Sequence, residues 1–264
     1  MTHSNTTFPG TAEIIQFGCL ADNYCSLIHD PESGSTAVVD TPDADEIMRQ
    51  LDKRNWQLTH ILTTHHHWDH IDGHEQLKQR YGCQVIGPAL NQNQVPAIDF
   101  SVSHQDQISV GSLTVEVIAT PGHTLGHVVY YLPQLSAVFV GDTLFSMGCG
   151  RLFEGSPEQM WESICQIRAL PQETSIYCGH EYTLANARFA LELDPLNPAL
   201  KQRVAEVEVL RASSLPTIPT SVGLERATNP FMRADDPALQ AQLALSGVMA
   251  SEVFADIRRR KDQA

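Results

Sequence analysis

Residues 64–70 read Thr-His-His-His-Trp-Asp-His, so four imidazoles and a carboxylate fall within seven positions. In an extended segment alternate side chains point the same way. His65 and His67 can therefore converge on one metal ion, with Asp69 and His70 just beyond, in reach of a second. More donors stand where apolar runs end: His123 and His127 in TPGHTLGH, Asp142 in VFVGDT and His180 in IYCGHEYT. Singly, each has an ordinary reading: Asp142 as a turn former, His180 as a satisfied interior histidine, the 64–70 run as an exposed polyhistidine loop. Together they supply two metal sites and a carboxylate able to bridge them. Two divalent cations sharing a water lower its pKa towards ~7, from about 15.7 in bulk, and polarise a carbonyl.

Such donors need rigid elements behind them. The runs EIIQFGCL, YCSLIHD, TAVVDT and QLTHILTT are rich in β-branched residues and separated by turn formers, which predicts strands. DADEIMRQLDKR carries Ile47, Met48 and Leu51 at helical spacing, and DGHEQLKQRYG reads as a helix closed by Gly82. A loop-rich stretch over 87–106 precedes a hairpin turning at Gly111, then the strand candidates HVVYYLP and SAVFVGDT. SPEQMWESICQIRAL opens with Ser156, Pro157 and Gln159, the pattern of a capping box. TSIYCGH is one more strand. Beyond 180 the texture turns helical, with helices expected over 183–193, 198–213, 236–245 and 250–262. The expected division is 1–175 and 176–264, with residues 1–11 a loose tail.

The chain has 264 residues, 42% hydrophobic and 18% charged, which suits a globular protein with a sizeable core. Its net charge of −14 argues against nucleic acid as a partner. Six cysteines include no C-x-x-C pair, as expected of small buried residues in a reducing compartment. MTHSNTTFPG has neither a basic nor an apolar leader region, and no apolar run approaches bilayer length. A cytoplasmic monomer with no membrane partner is expected.

THHHWDH, TPGHTLGH, GDTLF followed by GCGR, CGHEYT, NPFMR and the terminal RRRKDQ together resemble the hydroxyacylglutathione hydrolase (glyoxalase II) family of the metallo-β-lactamase superfamily. The resemblance spans residues 64–263. It implies an α/β fold, an αββα sandwich followed by a C-terminal helical domain. It implies that His65, His67 and His123 hold one metal, that Asp69, His70 and His180 hold the other, and that Asp142 bridges them. It also implies hydrolysis of a glutathione thioester such as S-D-lactoylglutathione, a step in methylglyoxal detoxification. Imidazole and carboxylate donors suit zinc, and also iron or manganese. Asp69 could orient the attacking water. No motif offers a dedicated general acid, which favours a thioester: a thiol with a pKa near ~8.5 leaves without a proton, whereas an amide nitrogen needs one. His66 and Trp68 fall between ligands and are expected to pack or support them, as is His127. His3, His29, His60, His74 and His104 receive no site role.

Glutathione is anionic, so a local basic patch is required. In EVFADIRRRKDQ, Val253, Phe254 and Ile257 form an apolar stripe at helical spacing, which Arg258 and Lys261 continue. Arg259 and Arg260 point elsewhere, Arg260 within reach of Asp256. A solvated helix end, its cations favoured by the helix dipole, is an equal reading of these residues alone. The resemblance decides for substrate binding by Arg258 and Lys261, with Arg151 and Tyr182. Many members of the family carry a tyrosine where this chain has Phe153. Two rivals differ in kind. A mononuclear iron persulfide dioxygenase would not need Asp69, His70 and His180 together. A non-catalytic metal-binding protein would not need all seven ligand positions filled.

Overall fold

The structure is a computed structural model that describes residues 4–7 and 12–264. His3 lies outside the described residues. Within the expected tail, Ser4–Thr7 is a strand, because its backbone pairs with Glu13–Gln16. The chain divides into two compact units, Met1–Ala119 with Gly126–Gly141, and Thr120–Leu125 with Asp142–Ala264.

The first unit opens with an antiparallel meander: β1 (Ser4–Thr7), β2 (Glu13–Cys19), β3 (Asn23–Asp30) and β4 (Ser35–Val39). β5 (His60–Leu62), β6 (Gln84–Pro88) and β7 (Phe100–Val102) extend the same sheet in parallel. Parallel neighbours need crossovers: helices join β4 to β5 and β5 to β6, and a loop with one 3-10 turn (Gln92–Gln94) joins β6 to β7. α1 (Ala44–Arg54) begins where the Asp43 side chain accepts from Glu46 N–H, and ends at Asn55 in the left-handed region. A one-turn α2 (Trp68–Ile71) and α3 (His74–Tyr81) lead from β5 to β6, and Gly82 closes α3 at φ 65°. Ile47 and Leu51 of α1 and Leu77 of α3 pack with Ile15, Phe17, Leu27, Val38, Ile61 and Val85 of the sheet, a continuous apolar core. Four further strands, β8 (Gln107–Val110), β9 (Leu113–Ala119), β10 (Val128–Leu132) and β11 (Ala137–Gly141), pair antiparallel in sequence order, turning at Gly111 between β8 and β9. Every residue of β10 and β11 is buried, as their unbroken apolar runs require of strands covered on both faces.

The second unit carries a tight hairpin, β12 (Leu144–Phe145) and β13 (Gly148–Cys149), and then α4 (Pro157–Arg168), whose Ser156–Gln159 capping box is formed. β14 (Ser175–Cys178) pairs with β15 (Thr220–Ser221), and between them run α5 (Thr183–Leu193) and α6 (Pro198–Ala212). α7 (Val222–Thr228), α8 (Pro237–Gln242) and α9 (Ala250–Asp262) complete it. Two helices depart from expectation. α8 stops short of 245, because Ala244 adopts φ 59° and Leu245 N–H bonds back to Gln240 O, a left-handed stop. α7 escapes periodicity because Gly223 and Thr228 interrupt its apolar pattern; the Ser221 side chain capping Leu224 N–H starts it.

All six cysteines are free, and five are buried. Burial raises the Cys83 and Cys149 thiols to about 11 and holds Cys25 and Cys178 well above the ordinary thiol range. Among the described residues no helix is long and apolar enough to cross a membrane.

Candidate metal centre

In the first unit the donors follow β5. Thr64 N–H and Oγ1–H both donate to Asp40, each at 2.8 Å, and Thr64 Oγ1 lies 3.0 Å from His65 Nδ1. That contact leaves His65 Nε2 facing His67 Nδ1 at 3.1 Å, two ring nitrogens converging as ligands of one cation would. The extended alternation then breaks, because Asp69 and His70 sit on α2 and not on extended chain. One helical turn brings Asp69 Oδ2 to 3.6 Å from His70 Nε2. Asn23 Nδ2 donates to Asp69 Oδ2 at 3.0 Å and to its backbone oxygen at 3.2 Å. The other nitrogen of His70, Nδ1, meets Asp40 Oδ2 at 2.8 Å. His127 is buried and stacks on His65, centroids 4.9 Å apart, in the supporting place expected of it. His66 packs against the His67 ring. Trp68 does not pack as expected: as the first residue of α2 it is turned outward, 68% exposed.

Gly141, the last residue of β11, has φ 46°, and a Cβ there would lie 2.5 Å from Thr64 Oγ1 and 2.8 Å from His127 Nε2. Only glycine meets both demands, and it hands the chain directly to Asp142.

In the second unit one carboxylate oxygen stands between two imidazoles. Asp142 Oδ2 is 3.5 Å from His123 Nε2 and 3.4 Å from His180 Nε2. His123 Nδ1–H donates to Arg151 O at 2.8 Å, which leaves the Nε2 lone pair for a metal. Phe153 N–H donates to His123 O at 3.2 Å, and the Phe153 ring meets the imidazole edge-on at 5.3 Å. The Tyr182 ring lies flat on His180, centroids 4.7 Å apart and planes 5° from parallel, and the Phe145 ring contacts both edge-on.

Among the described residues, the first unit brings Asp40, His65 and His70 within the spacing of a single ion, with His67 beside His65 and Asp69 beside His70, and the second brings His123 and His180 to Asp142. Asp40 already serves His70 Nδ1 and Thr64, so it orients ligands. The remaining donors are of the types that fit divalent cations: the imidazoles are buried or half-buried, and His65, His70 and His123 each have the opposite ring nitrogen engaged.

The cations expected at the substrate differ in setting. α9 buries Val253, Phe254, Ile257 and Arg258, as its stripe predicts. Arg258 is only 5% exposed. Its Nη1 donates to Cys149 O at 3.0 Å, its Nε and Nη2 donate to Asp262 Oδ1 at 3.0 and 2.7 Å, and its guanidinium lies 5.3 Å from the Phe231 ring centroid. Lys261 lies over the Phe189 ring and donates to Ala185 O at 3.3 Å. Burial, and then the Arg258 and Arg151 charges, lower its pKa. Arg151 is exposed and Phe153 is 64% exposed. Arg259 and Arg260 pair with Asp256. Asp40 and Asn23 were not foreseen. Asp40 ends an apolar run, Ala37–Asp40, much as Asp142 ends Val138–Asp142, and that is the signal that could have found it.

A family model described as the metallo-beta-lactamase superfamily matches residues 22–180, and one described as the hydroxyacylglutathione hydrolase C-terminus matches residues 181–264. The chain is 53% identical over 250 residues to a hydroxyacylglutathione hydrolase of Brucella anthropi, covering 95% of this chain and 96% of the relative. It is 52% identical over 249 residues to one of Maricaulis maris, covering 94% and 97%. Among solved structures, ETHE1 from Myxococcus xanthus superposes with a TM-score of 0.65 at 25% identity, covering 98% of this chain and 90% of that one. The fold is thus the αββα sandwich of that superfamily followed by a helical C-terminal stretch. With its two donor sets, and with family models that between them run from residue 22 to the end, the chain belongs to the hydroxyacylglutathione hydrolase family of the metallo-β-lactamase superfamily.

Proposed function

We propose that the chain hydrolyses S-(2-hydroxyacyl)glutathione, such as S-D-lactoylglutathione, to glutathione and a 2-hydroxy acid. His65, His67 and His123 would hold one cation, Asp69, His70 and His180 would hold a second, and Asp142 would be the carboxylate available to both. The observation that carries this reading is Asp142 Oδ2 at 3.4–3.5 Å from both His123 and His180, in a chain half identical to hydroxyacylglutathione hydrolases. When bound, the two cations acidify water and polarise the thioester carbonyl. Asn23 fixes Asp69 through Oδ2, so its carboxylate has a set orientation in which to accept a proton from the attacking water. The leaving thiolate needs no protein acid.

Against a net charge of −14, Arg151, Lys261 and Arg258 supply the local positive field that a doubly carboxylated tripeptide requires. The Tyr182 hydroxyl adds a polar contact. We place the start of the substrate-binding helical domain at about residue 176, near the 180/181 border between the two family models. The six free cysteines agree with a cytoplasmic setting, in which we place the protein as a monomer.

The test is loss of thioester absorbance with S-D-lactoylglutathione, with and without chelator, together with metal analysis. Chelator-sensitive hydrolysis and two metals per chain support the reading. One iron per chain without hydrolysis would replace it with the dioxygenase. Asp142→Ala is expected to lose activity and metal together; full activity in that variant removes the bridge.

A further inference from the structure

The Asn-Pro-Phe-Met-Arg run at 229–233 supplies neither metal donors nor substrate cations, yet it contains a fully buried amide. Asn229 Nδ2 lies 3.0 Å from each of Phe145 O, Gly148 O and Glu225 Oε2, and its Oδ1 accepts from Phe231 N–H at 3.0 Å. Phe145 and Gly148 are the pair that closes the β12–β13 hairpin. Glu225, one helical turn earlier and also fully buried, serves the same turn. Its Oε2 accepts from Met147 N–H at 2.7 Å, and its Oε1 from Ser146 Oγ at 3.0 Å and Thr220 Oγ1 at 2.6 Å. A buried carboxylate and a buried amide are unfavourable unless every polar atom is matched. Here both are matched, and largely by one four-residue turn.

That turn joins the metal side of the unit to the glutathione side. Asp142 lies just before it, and the Phe145 ring packs on His180 and Tyr182. Just after it, Cys149 O holds Arg258 and Arg151 O holds His123 Nδ1. Gly150 N–H bonds to Thr143 O at 3.3 Å and ties the two ends together. We infer that Glu225 and Asn229 are positioning residues: by fixing residues 145–148 they hold Asp142, Arg151 and Arg258 in one geometry, so that a single buried pair sets both metal retention and glutathione affinity. The substrate half of this inference rests on the hydrolase reading; the metal half does not.

The hydrogen bonds predict which substitutions are tolerated. Glu225 Oε2 faces two obligate N–H donors, but Oε1 faces two hydroxyls that can accept as well as donate. Glu225→Gln can therefore present its oxygen to Met147 and Asn229 and its amide to Ser146 and Thr220. Glu225→Leu can satisfy none of them. Asn229→Ser can still accept from Phe231 N–H but is too short to reach both hairpin carbonyls.

The three variants are purified, checked for fold by circular dichroism and thermal melting, dialysed against a weak chelator, and assayed for metal per chain and for KM and kcat on S-D-lactoylglutathione. Glu225→Gln is expected within about twofold of the parent in metal retention and KM. Glu225→Leu and Asn229→Ser, though folded, are expected to retain less metal and to raise KM at least fivefold. Parental metal retention and KM in those two, or Glu225→Gln as impaired as Glu225→Leu, overturns the inference. If Glu225→Leu does not fold, Asn229→Ser decides by the same criteria. If the parent protein hydrolyses no thioester, the proposed function fails, and metal retention across the series decides this inference alone.

Discussion

His70 Nδ1 and Asp40 Oδ2 lie 2.8 Å apart, and both side chains are buried. Asp40 also takes both donors of Thr64, so one carboxylate fixes the ring orientation of His70 and the backbone entry to His65. Partners of this type are worth roughly 10–100-fold in metal affinity. Asp40→Ala should therefore weaken metal binding by about that factor, read by competition with a chelator of known affinity. Unchanged affinity would mean that His70 holds its orientation without Asp40.

Arg258 and Lys261 should separate in their effects. Arg258 is built into the interior through Cys149 O, Asp262 and Phe231, whereas Lys261 has a single backbone acceptor. Both alanine variants should raise KM with kcat nearly unchanged, the signature of lost uniform binding. Only Arg258→Ala should also lower the melting temperature by several degrees, because it leaves a buried carbonyl without its donor. Steady-state kinetics and thermal melts check both; an unaltered KM for Arg258→Ala removes it from the substrate site.

Phe153 lies against His123 with most of its ring exposed. A tyrosine there would add a hydroxyl at the exposed edge without disturbing the ring contact. One hydrogen bond contributes about 0.5–1.5 kcal/mol net, so Phe153→Tyr should lower KM for the glutathione thioester roughly two- to tenfold. No change in KM would show that the hydroxyl finds no partner on the substrate.

His74 is fully buried between Thr41 Oγ1 at 2.6 Å and Thr63 Oγ1 at 2.7 Å, and burial lowers its pKa from 6.5 to about 3. Below pH 6.5 the unfolded chain takes up a proton that the folded chain refuses until about pH 3. Stability is therefore lost as pH falls through that window. Urea midpoints measured with chelator present should fall more steeply from pH 7 to pH 5 in the parent than in His74→Gln. Parallel slopes would contradict a neutral, buried His74.

The seven candidate metal donors stand out because their types are rare at such density and because four of them, His65, His67, Asp69 and His70, share one seven-residue run. Among the long helices, α4 was legible from its cap, where Ser156 accepts from Gln159 N–H three residues on, and α1 and α9 from their apolar spacing. What supports the site was not. Asn23, Glu225 and Asn229 act through long-range hydrogen bonds across 46 to 84 residues of chain, and no local period reports such bonds. The turn of helix under Asp69 and His70 was equally hidden, since four residues are too few for a periodic pattern. Arg258 was placed on the correct face of α9, but its depth depends on Cys149 and Phe231, which sequence spacing cannot bring to it.

The sealed cysteines bear on life beside the reaction's own product. Each turnover would release glutathione, a mobile thiol that exchanges with disulfides and whose oxidised, disulfide form is attacked by exposed thiolates. This chain has no cross-link for it to open, and the buried sulfurs with raised pKa values hold almost no thiolate near neutrality. Those four sulfurs are therefore poor partners for exchange with what the reaction releases.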